Sequence, residues 1–576
     1  MFKLTYYLKD FKKEVILGPI FKLLEAVFEL IVPLVMAKII DIGIGTSNSN
    51  YIFKMGGLLI LFAFTGLTCA IICQYFASRA SQEIGTNIRN DLFKHINSLS
   101  HSEIDKIGTA TLITRITNDV NIIQNAIAML IRLAFRAPFL IIGSTIMAMT
   151  IDLKLSIIFL IATPFIALVI YIIMSKSIPF YSKIQGKLDH ISLLTGENLE
   201  GARVVRAFSN EEYEMKKFYN ASDDLSTESI NVGKISALLN PITSLIANFA
   251  IIAILWFGGA NVNSGSLLRG DIVALINYMN SILLTLIVLA NLIVLFTKAF
   301  ASIKRVREIF EIQSSITEES VIETKKVNSS KITFNNVFFH FNDSNEDSLS
   351  DINVSIEPGE TIGVIGGTGS GKSTFVNLIP RFYDASEGSV LVDGIDIKGY
   401  KLKDLRKKIS IVPQHCVLFS GTIRSNLTLG NENASDEEIA NALDIAQASE
   451  FVNKLPEKYD TIVSEGGKNL SGGQKQRLTI ARALLCNPEI LILDDSSSAL
   501  DFATDALLRK ALREKTKDMT VIMVSQRAST VKTADKIIVF DNGEIKGVGT
   551  HDYLFDNCEV YKEICLSQLS EKEVAL

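Results

Sequence analysis

Six long apolar runs crowd the first 300 residues, and nothing else in the chain limits its fold as strongly. They lie near 15–40, 55–78, 127–150, 155–175, 240–260 and 272–297. Each is near or above the ~20 residues a helix needs to cross a bilayer core of ~30 Å. The pattern predicts a polytopic α-helical membrane domain with six long transmembrane helices. The first run contains Glu25 and Glu29 and lacks a small-residue cleavage site, so it is read as a retained helix, not a secretion signal. Lys3, Lys9, Lys12 and Lys13 precede it, and 79–125 and 176–235 are rich in Lys and Arg. The short loops near 41–53, 151–154 and 261–270 hold few, namely Lys154 and Arg269. The positive-inside rule then puts both termini in the cytoplasm.

The segments 79–126 and 176–239 are long, mixed in polarity and low in Pro and Gly. A helical period of 3.6 suits them. A helix of ~50 residues is about 75 Å long, more than twice the bilayer core. Spans two to five are therefore expected to continue as paired helices that turn near Ile104–Gly108 and near Gly201. Glu25 and Glu29 sit four apart in the first span, with Lys22 one turn before. They either attract cationic or amphipathic cargo, or Lys22 pairs with Glu25 or these positions lie at the cytoplasmic interface; the second reading is favoured. Arg132 and Arg136, also four apart, are expected to snorkel toward the cytoplasmic surface.

Past residue 302 the composition changes. Residues 1–311 form the expected membrane domain, the polar stretch 312–330 a linker, and 331–576 a second domain. There, short apolar strands such as Thr361–Ile365, Ser410–Val412, Ile490–Leu493 and Val521–Val524 alternate with amphipathic helices, an α/β pattern. A net charge of −5 gives no electrostatic case for nucleic acid. Six scattered cysteines make neither a disulfide framework nor a zinc pattern.

Gly366-Gly367-Thr368-Gly369-Ser370-Gly371-Lys372-Ser373 has the spacing G-x4-G-K-S, follows a strand and opens the apolar helix Thr374–Ile379. Glycines let backbone N–H groups wrap phosphate oxygens, and the helix N-terminus adds its positive end. Lys372 is expected on the β- and γ-phosphates and Ser373 on Mg2+. The strand Ile490–Leu493 runs into Asp494 and Asp495; Asp494 is expected in the Mg2+ shell, and the next position normally polarises the attacking water.

Leu470-Ser471-Gly472-Gly473-Gln474 precedes Lys475-Gln-Arg-Leu, and Ser498-Ala-Leu-Asp501 follows the Asp pair. P-loop, signature, Asp pair and Ser498–Asp501 stand in the order found in ABC transporter ATPases, and the chain resembles an exporter-type half-transporter over essentially its whole length. The resemblance implies ATP and Mg2+ as cofactors. It implies adenine stacking on Phe341, where the family usually has Tyr. It gives Gln414 as a sensor of Mg2+ and the γ-phosphate, facing the coupling helices. Leu470–Gln474 then bind the γ-phosphate of ATP held by a second subunit, and the loop ending at Asp501 crosses to that subunit. Ile104–Gly108 with Leu112, Arg115 and Asp119, and Glu200–Phe208, resemble the two coupling segments.

Two departures stand out. The family has Glu where this chain has Asp495. A general base must come within ~2.6–3.2 Å of its water, and retraction by roughly 1 Å can cost ~100-fold. The family has His where this chain has Gln526, which bonds phosphate but cannot become cationic. Together they resemble the degenerate-site subunit of a heterodimeric bacterial exporter, whose partner carries the intact Glu and His; a slow homodimer is the other possibility. The implied cargo is a hydrophobic or amphipathic drug, lipid or peptide moved out across the cytoplasmic membrane, although an importer built on the same fold has the same motifs.

Overall fold

The computed structural model describes residues 4–316, 330–341, 346–516 and 518–568. Residues 317–329 of the expected linker, and Lys3, lie outside them. The chain divides into two compact units: residues 1–97 with 108–313, and residues 98–107 with 314–576.

The first unit is helical. Its long elements are α1 (Lys12–Lys38), α2 (Ser49–Ile96), α3 (Thr109–Ile151), α4 (Ser156–Glu200), α5 (Glu211–Asn263) and α6 (Arg269–Glu311). Among the described residues, α2 to α6 are long and apolar enough to cross a membrane. The first helix carries Lys22, Glu25 and Glu29 along its middle and falls outside that set. At ~1.5 Å per residue, the 48 residues of α2 reach about 72 Å, far beyond a bilayer core. A short helix, His101–Ile107, follows α2, and Gly108, at φ +80°, caps the start of α3. A second break falls at Gly201, followed by the turn of helix Ala202–Ala207.

Helices pack here through small residues, because lipid offers no hydrophobic incentive for association. Ala26, Ala37, Ala148, Ala162, Ala250 and Ala274 are buried in one apolar cluster. Gly143 faces Leu30 so closely that a Cβ would lie 2.4 Å from its Cδ1. The buried Tyr278 hydroxyl donates to the Leu30 carbonyl at 2.6 Å. Such a bond satisfies a phenol that neither lipid nor apolar side chains would. In α3 two π-helical segments, Arg115–Asp119 and Leu130–Ala134, interrupt the α-helix. Asp119 lies in the first and is 1 % exposed. It accepts hydrogen bonds from Arg115, Ser302 and Arg305. Burial raises its pKa, but those three donors outweigh burial and hold it below the ordinary carboxylate value.

Lys22 pairs with Glu25 at 2.7 Å, and Arg136 with Glu29 at 2.6 Å. Glu25 and Glu29 are thus both neutralised, and the idea that they attract cationic or amphipathic cargo is set aside.

In the second unit the strands are β1 (Ile332–Phe339), β2 (Leu349–Ile356), β3 (Thr361–Gly366), β4 (Glu387–Val392), β5 (Ile395–Asp396), β6 (Ile409–Val412), β7 (Gly421–Thr422), β8 (Ile462–Val463), β9 (Ile490–Asp494), β10 (Thr520–Ser525), β11 (Lys536–Asp541) and β12 (Glu544–Gly549). The main sheet has the order β12-β11-β3-β10-β9-β6 and is parallel apart from β12. Its central strands are buried on both faces, which is why Ile490–Leu493 and Val521–Val524 read as unbroken apolar runs. An antiparallel sheet, β2-β1-β4-β5, shares a core with it through Phe334, Phe375 and Phe540. Strands β7 and β8 form a separate pair.

The segment 98–107 belongs to this unit. The Tyr383 hydroxyl donates to Asp105 at 3.0 Å, and the His101 ring lies 4.6 Å from that of Phe382. The Glu103 carboxylate accepts from the Ser100 and Ser315 backbones.

Candidate functional site

Four neighbouring parallel strands, β3, β10, β9 and β6, end on one side of the main sheet. Ligands of open α/β sheets bind outside such carboxyl ends. Here β3 runs into Gly366–Ser373, β10 into Gln526, β9 into Asp494 and Asp495, and β6 into Pro413-Gln414. Sheet order, not sequence proximity, brings the four motifs together.

The helix after the P-loop, α7, spans Lys372–Leu378, beginning two residues before the expected Thr374. Gly369 (φ +79°) and Gly371 (φ +97°) take left-handed conformations open to glycine. Gly366 is required for a different reason: a Cβ there would lie 2.2 Å from the Phe540 carbonyl oxygen. The Lys372 ammonium is buried and donates to the Gly366 and Gly367 carbonyls at 3.0 and 2.5 Å and to Ser370 Oγ at 3.3 Å. Burial lowers its pKa, while the nearby Asp495 and Asp494 carboxylates oppose the fall.

Ser373 Oγ donates to Asp494 Oδ1 at 3.0 Å. Burial raises the Asp494 pKa; the Ser373 bond opposes this and the Asp495 charge adds to it. Asp495 sits in the left-handed region (φ +46°), and its N–H donates to the Val524 carbonyl at 3.0 Å. Its carboxyl is also raised by burial, against a hydrogen bond from Gln414 and the charges of Arg527 and Lys372.

A cleft of about 580 Å³ collects Phe341, Thr368–Thr374, Gln414, Asp494, Asp495 and Gln526. Phe341 meets the Tyr383 ring edge-on at 5.6 Å and remains 41 % exposed. Gly366 and Gly367 stand behind the cleft, their carbonyls engaged by Lys372. Glu346, Asp347 and Ser348 before β2, and Asn542-Gly543 between β11 and β12, also line it. Motif reading missed these five. Asn-Gly is a legible hairpin turn, but its place at the P-loop depends on β11 pairing with β3.

Leu470–Gln474 and Asp501 do not line this cleft. Ser471 caps the helix α8 (Gly472–Leu485): the Gln474 N–H donates to its Oγ at 3.3 Å, and the Ser471 N–H to Gln474 Oε1 at 2.9 Å. The Asp501 carboxylate caps α9 (Phe502–Lys515) by accepting from the Thr504 N–H at 2.9 Å. Signature and loop adjoin: a Cβ on Gly473 would lie 3.1 Å from the Ala499 carbonyl oxygen. Ser471 and Asp501 are both exposed.

The donor set suits a nucleotide-bridged Mg2+. Such an ion takes one or two protein oxygens and completes its shell with phosphates and water. Ser373 Oγ and Asp494 Oδ1, 3.0 Å apart, offer that pair. Among the described residues no cluster of three or more His, Cys, Asp or Glu side chains would hold a metal without a nucleotide.

Residues 15–287 match the family described as ABC transporter transmembrane region, and residues 349–498 match that described as ABC transporter. The Bacillus subtilis protein YfiB, an uncharacterized ABC transporter ATP-binding protein, is 35 % identical over 99 % of each chain. The chain belongs to the ABC transporter family. An ATP-dependent lipid A-core flippase of Haemophilus ducreyi is 30 % identical to this ABC transporter over 98 % of this chain and 97 % of its own. A solved bacterial Atm1-family ABC exporter with ATP bound shares its fold, with a TM-score of 0.82 at 24 % identity over 97 % of this chain and 99 % of the other.

Proposed function

We propose that this ABC transporter chain is one half of an ATP-driven exporter and that its own ATP site is degenerate. The observation that carries the reading is the company Asp495 and Gln526 keep: they line the same cleft as Lys372, Ser373 and Asp494. The phosphate-binding half of the site is complete, and the two substituted residues are those that would act on the attacking water and the γ-phosphate.

When bound, ATP would supply the scissile phosphate and Mg2+ the positive charge that offsets it. The chain's own groups then divide the work. Phe341 offers an aromatic face to adenine. P-loop N–H groups and Lys372 hold phosphate oxygens. Ser373 and Asp494, with Gln414, would hold the ion. Asp495 stands at the base position with a carboxylate one methylene short and already bonded to Gln414. Gln526 donates to phosphate without supplying a positive charge. Leu470–Gln474 and Asp501, outside the cleft, serve the site of a second subunit, which carries Glu and His in a heterodimer. Six spans with both termini cytoplasmic, and a hydrophobic or amphipathic cargo (lipid, drug or peptide), complete the proposal.

Changing Asp495→Glu together with Gln526→His is expected to raise the ATPase rate of the assembled transporter. A base restored by ~1 Å is worth up to ~100-fold at that site. Unchanged turnover would remove the degenerate-site reading. Native mass spectrometry of the complex decides the partner: two copies of this chain mean a homodimer.

A further inference from the structure

Where α1 crosses α3, Gly18 faces Ile131, and a Cβ at Gly18 would lie 2.5 Å from Ile131 Cγ2. That close approach brings together two cations. Lys22, one turn beyond Gly18, and Arg132, next to Ile131, open onto one shallow cavity of about 310 Å³, lined also by Ala70, Ile71, Cys73 and Gln74 of α2. Arg132 lies within the π segment Leu130–Ala134. Such segments widen the helix and recur at functional sites.

The charges around the cavity do not balance. Lys22 is paired with Glu25, and Arg136 with Glu29. Of the two cations that line the cavity, Lys22 is thus paired, and among the described residues Arg132 has no ion-pair partner. Arg136 also keeps its Nε buried without a hydrogen-bond partner. Cations inside a membrane domain are held by counter-charges. A guanidinium with free N–H groups suits a planar or tetrahedral oxyanion, above all phosphate.

We propose that this cavity binds a phosphate-bearing anion, with Arg132 and Lys22 as its charged contacts. Under the topology proposed above, on which the depth assignment rests, all its lining lies toward the cytoplasmic ends of the first three spans. A lipid headgroup of the anionic inner leaflet is available at that depth, and a soluble phosphate ester is the other source of the same group.

The test uses the complete transporter in nanodiscs of phosphatidylcholine, with or without phosphatidylglycerol, and counts retained lipid by native mass spectrometry. Loss of one charge-assisted contact is worth roughly tenfold in affinity. Arg132→Gln is expected to lower phosphatidylglycerol retention by about that factor. Arg132→Lys, which keeps the charge, and Lys154→Gln, remote from the cavity, are expected to retain it. In phosphatidylcholine discs, glycerol 3-phosphate replaces the lipid as probe; Arg132-dependent binding of it alone assigns the site to a soluble anion. If neither probe depends on Arg132, the proposal falls. ATP hydrolysis in the same discs shows separately whether the transporter reading stands and whether the variants are folded.

Discussion

Asp494 and Asp495 are two carboxyls in one cleft, both pushed above the ordinary value chiefly by burial. A group raised on folding contributes stability that is complete below its unfolded pKa, about 3.9, and lost as pH rises through the folded value. Ionisation of these carboxyls as pH rises therefore works against the nucleotide-free cleft, and a bound cation would offset it. Asp494→Asn is expected to raise the unfolding temperature without nucleotide and to abolish the additional rise on adding Mg2+-ATP. Differential scanning fluorimetry of the full chain reads both; an unaltered nucleotide response would rule out Asp494 as an ion ligand. At this scale much was legible. P-loop glycines, Lys372, Ser373 and the Asp pair announce themselves because phosphate chemistry fixes both residue type and spacing. Glu346, Asp347 and Ser348 do not, because they reach the cleft only through the pairing of β2 with β1 and the closeness of Ser348 to Gly371 and Gly543.

Among elements, the π segments were invisible in sequence. Arg115–Asp119 and Leu130–Ala134 have ordinary helical composition, and each meets a neighbour that sequence spacing does not announce: Arg305 and Ser302 on α6 for Asp119, and Gly18 on α1 for Ile131. Pairing of Lys22 with Glu25 could be read from their spacing, whereas Glu29 with Arg136 joins residues on different helices. Asp119 is the element-scale weak point. Removing one partner of a fully buried pair costs ~3–5 kcal/mol, and Arg305, 36 % exposed, brings that down. Asp119→Ala is expected to destabilise the helical unit by roughly 2–3 kcal/mol. Its pKa is depressed, so the contribution is present above about pH 4 and lost as pH falls further. Thermal unfolding of wild type and variant across pH 3–7 checks this: the difference should close at the acid end, and a constant difference would rule out the charge.

For the molecule as a whole, the decisive geometry is that the signature and the P-loop cleft are separate places on one chain. Under the proposed heterodimer, damage to the two has unequal consequences. Ser471→Ala, which strikes the partner's hydrolytic site, is expected to lower ATPase activity ~100-fold or more, the scale of losing one oriented donor to a reacting phosphate. Lys372→Ala, in the slow site, is expected to cost only a few-fold. Equal losses would mean two equivalent sites and a homodimer. Architecture at this scale was readable as a membrane half followed by an ATPase half, but not as the two compact units. Ile104–Gly108 reads as a helix tip resembling a coupling segment, but nothing in it announces that residues 98–107 group with a domain that begins more than two hundred residues later.

That discontinuity has a consequence in time. Tyr383 and Asp105 are 278 positions apart. At a synthesis rate of ~5–20 residues per second, the short helix His101–Ile107 leaves the ribosome roughly 15–55 s before its docking surface exists. Throughout that interval His101 and Asp105 have no aromatic face to meet, so the short helix cannot dock until the chain has grown past Phe382 and Tyr383. The order of synthesis thus leaves this helix waiting for a domain that is whole only once β12 has followed.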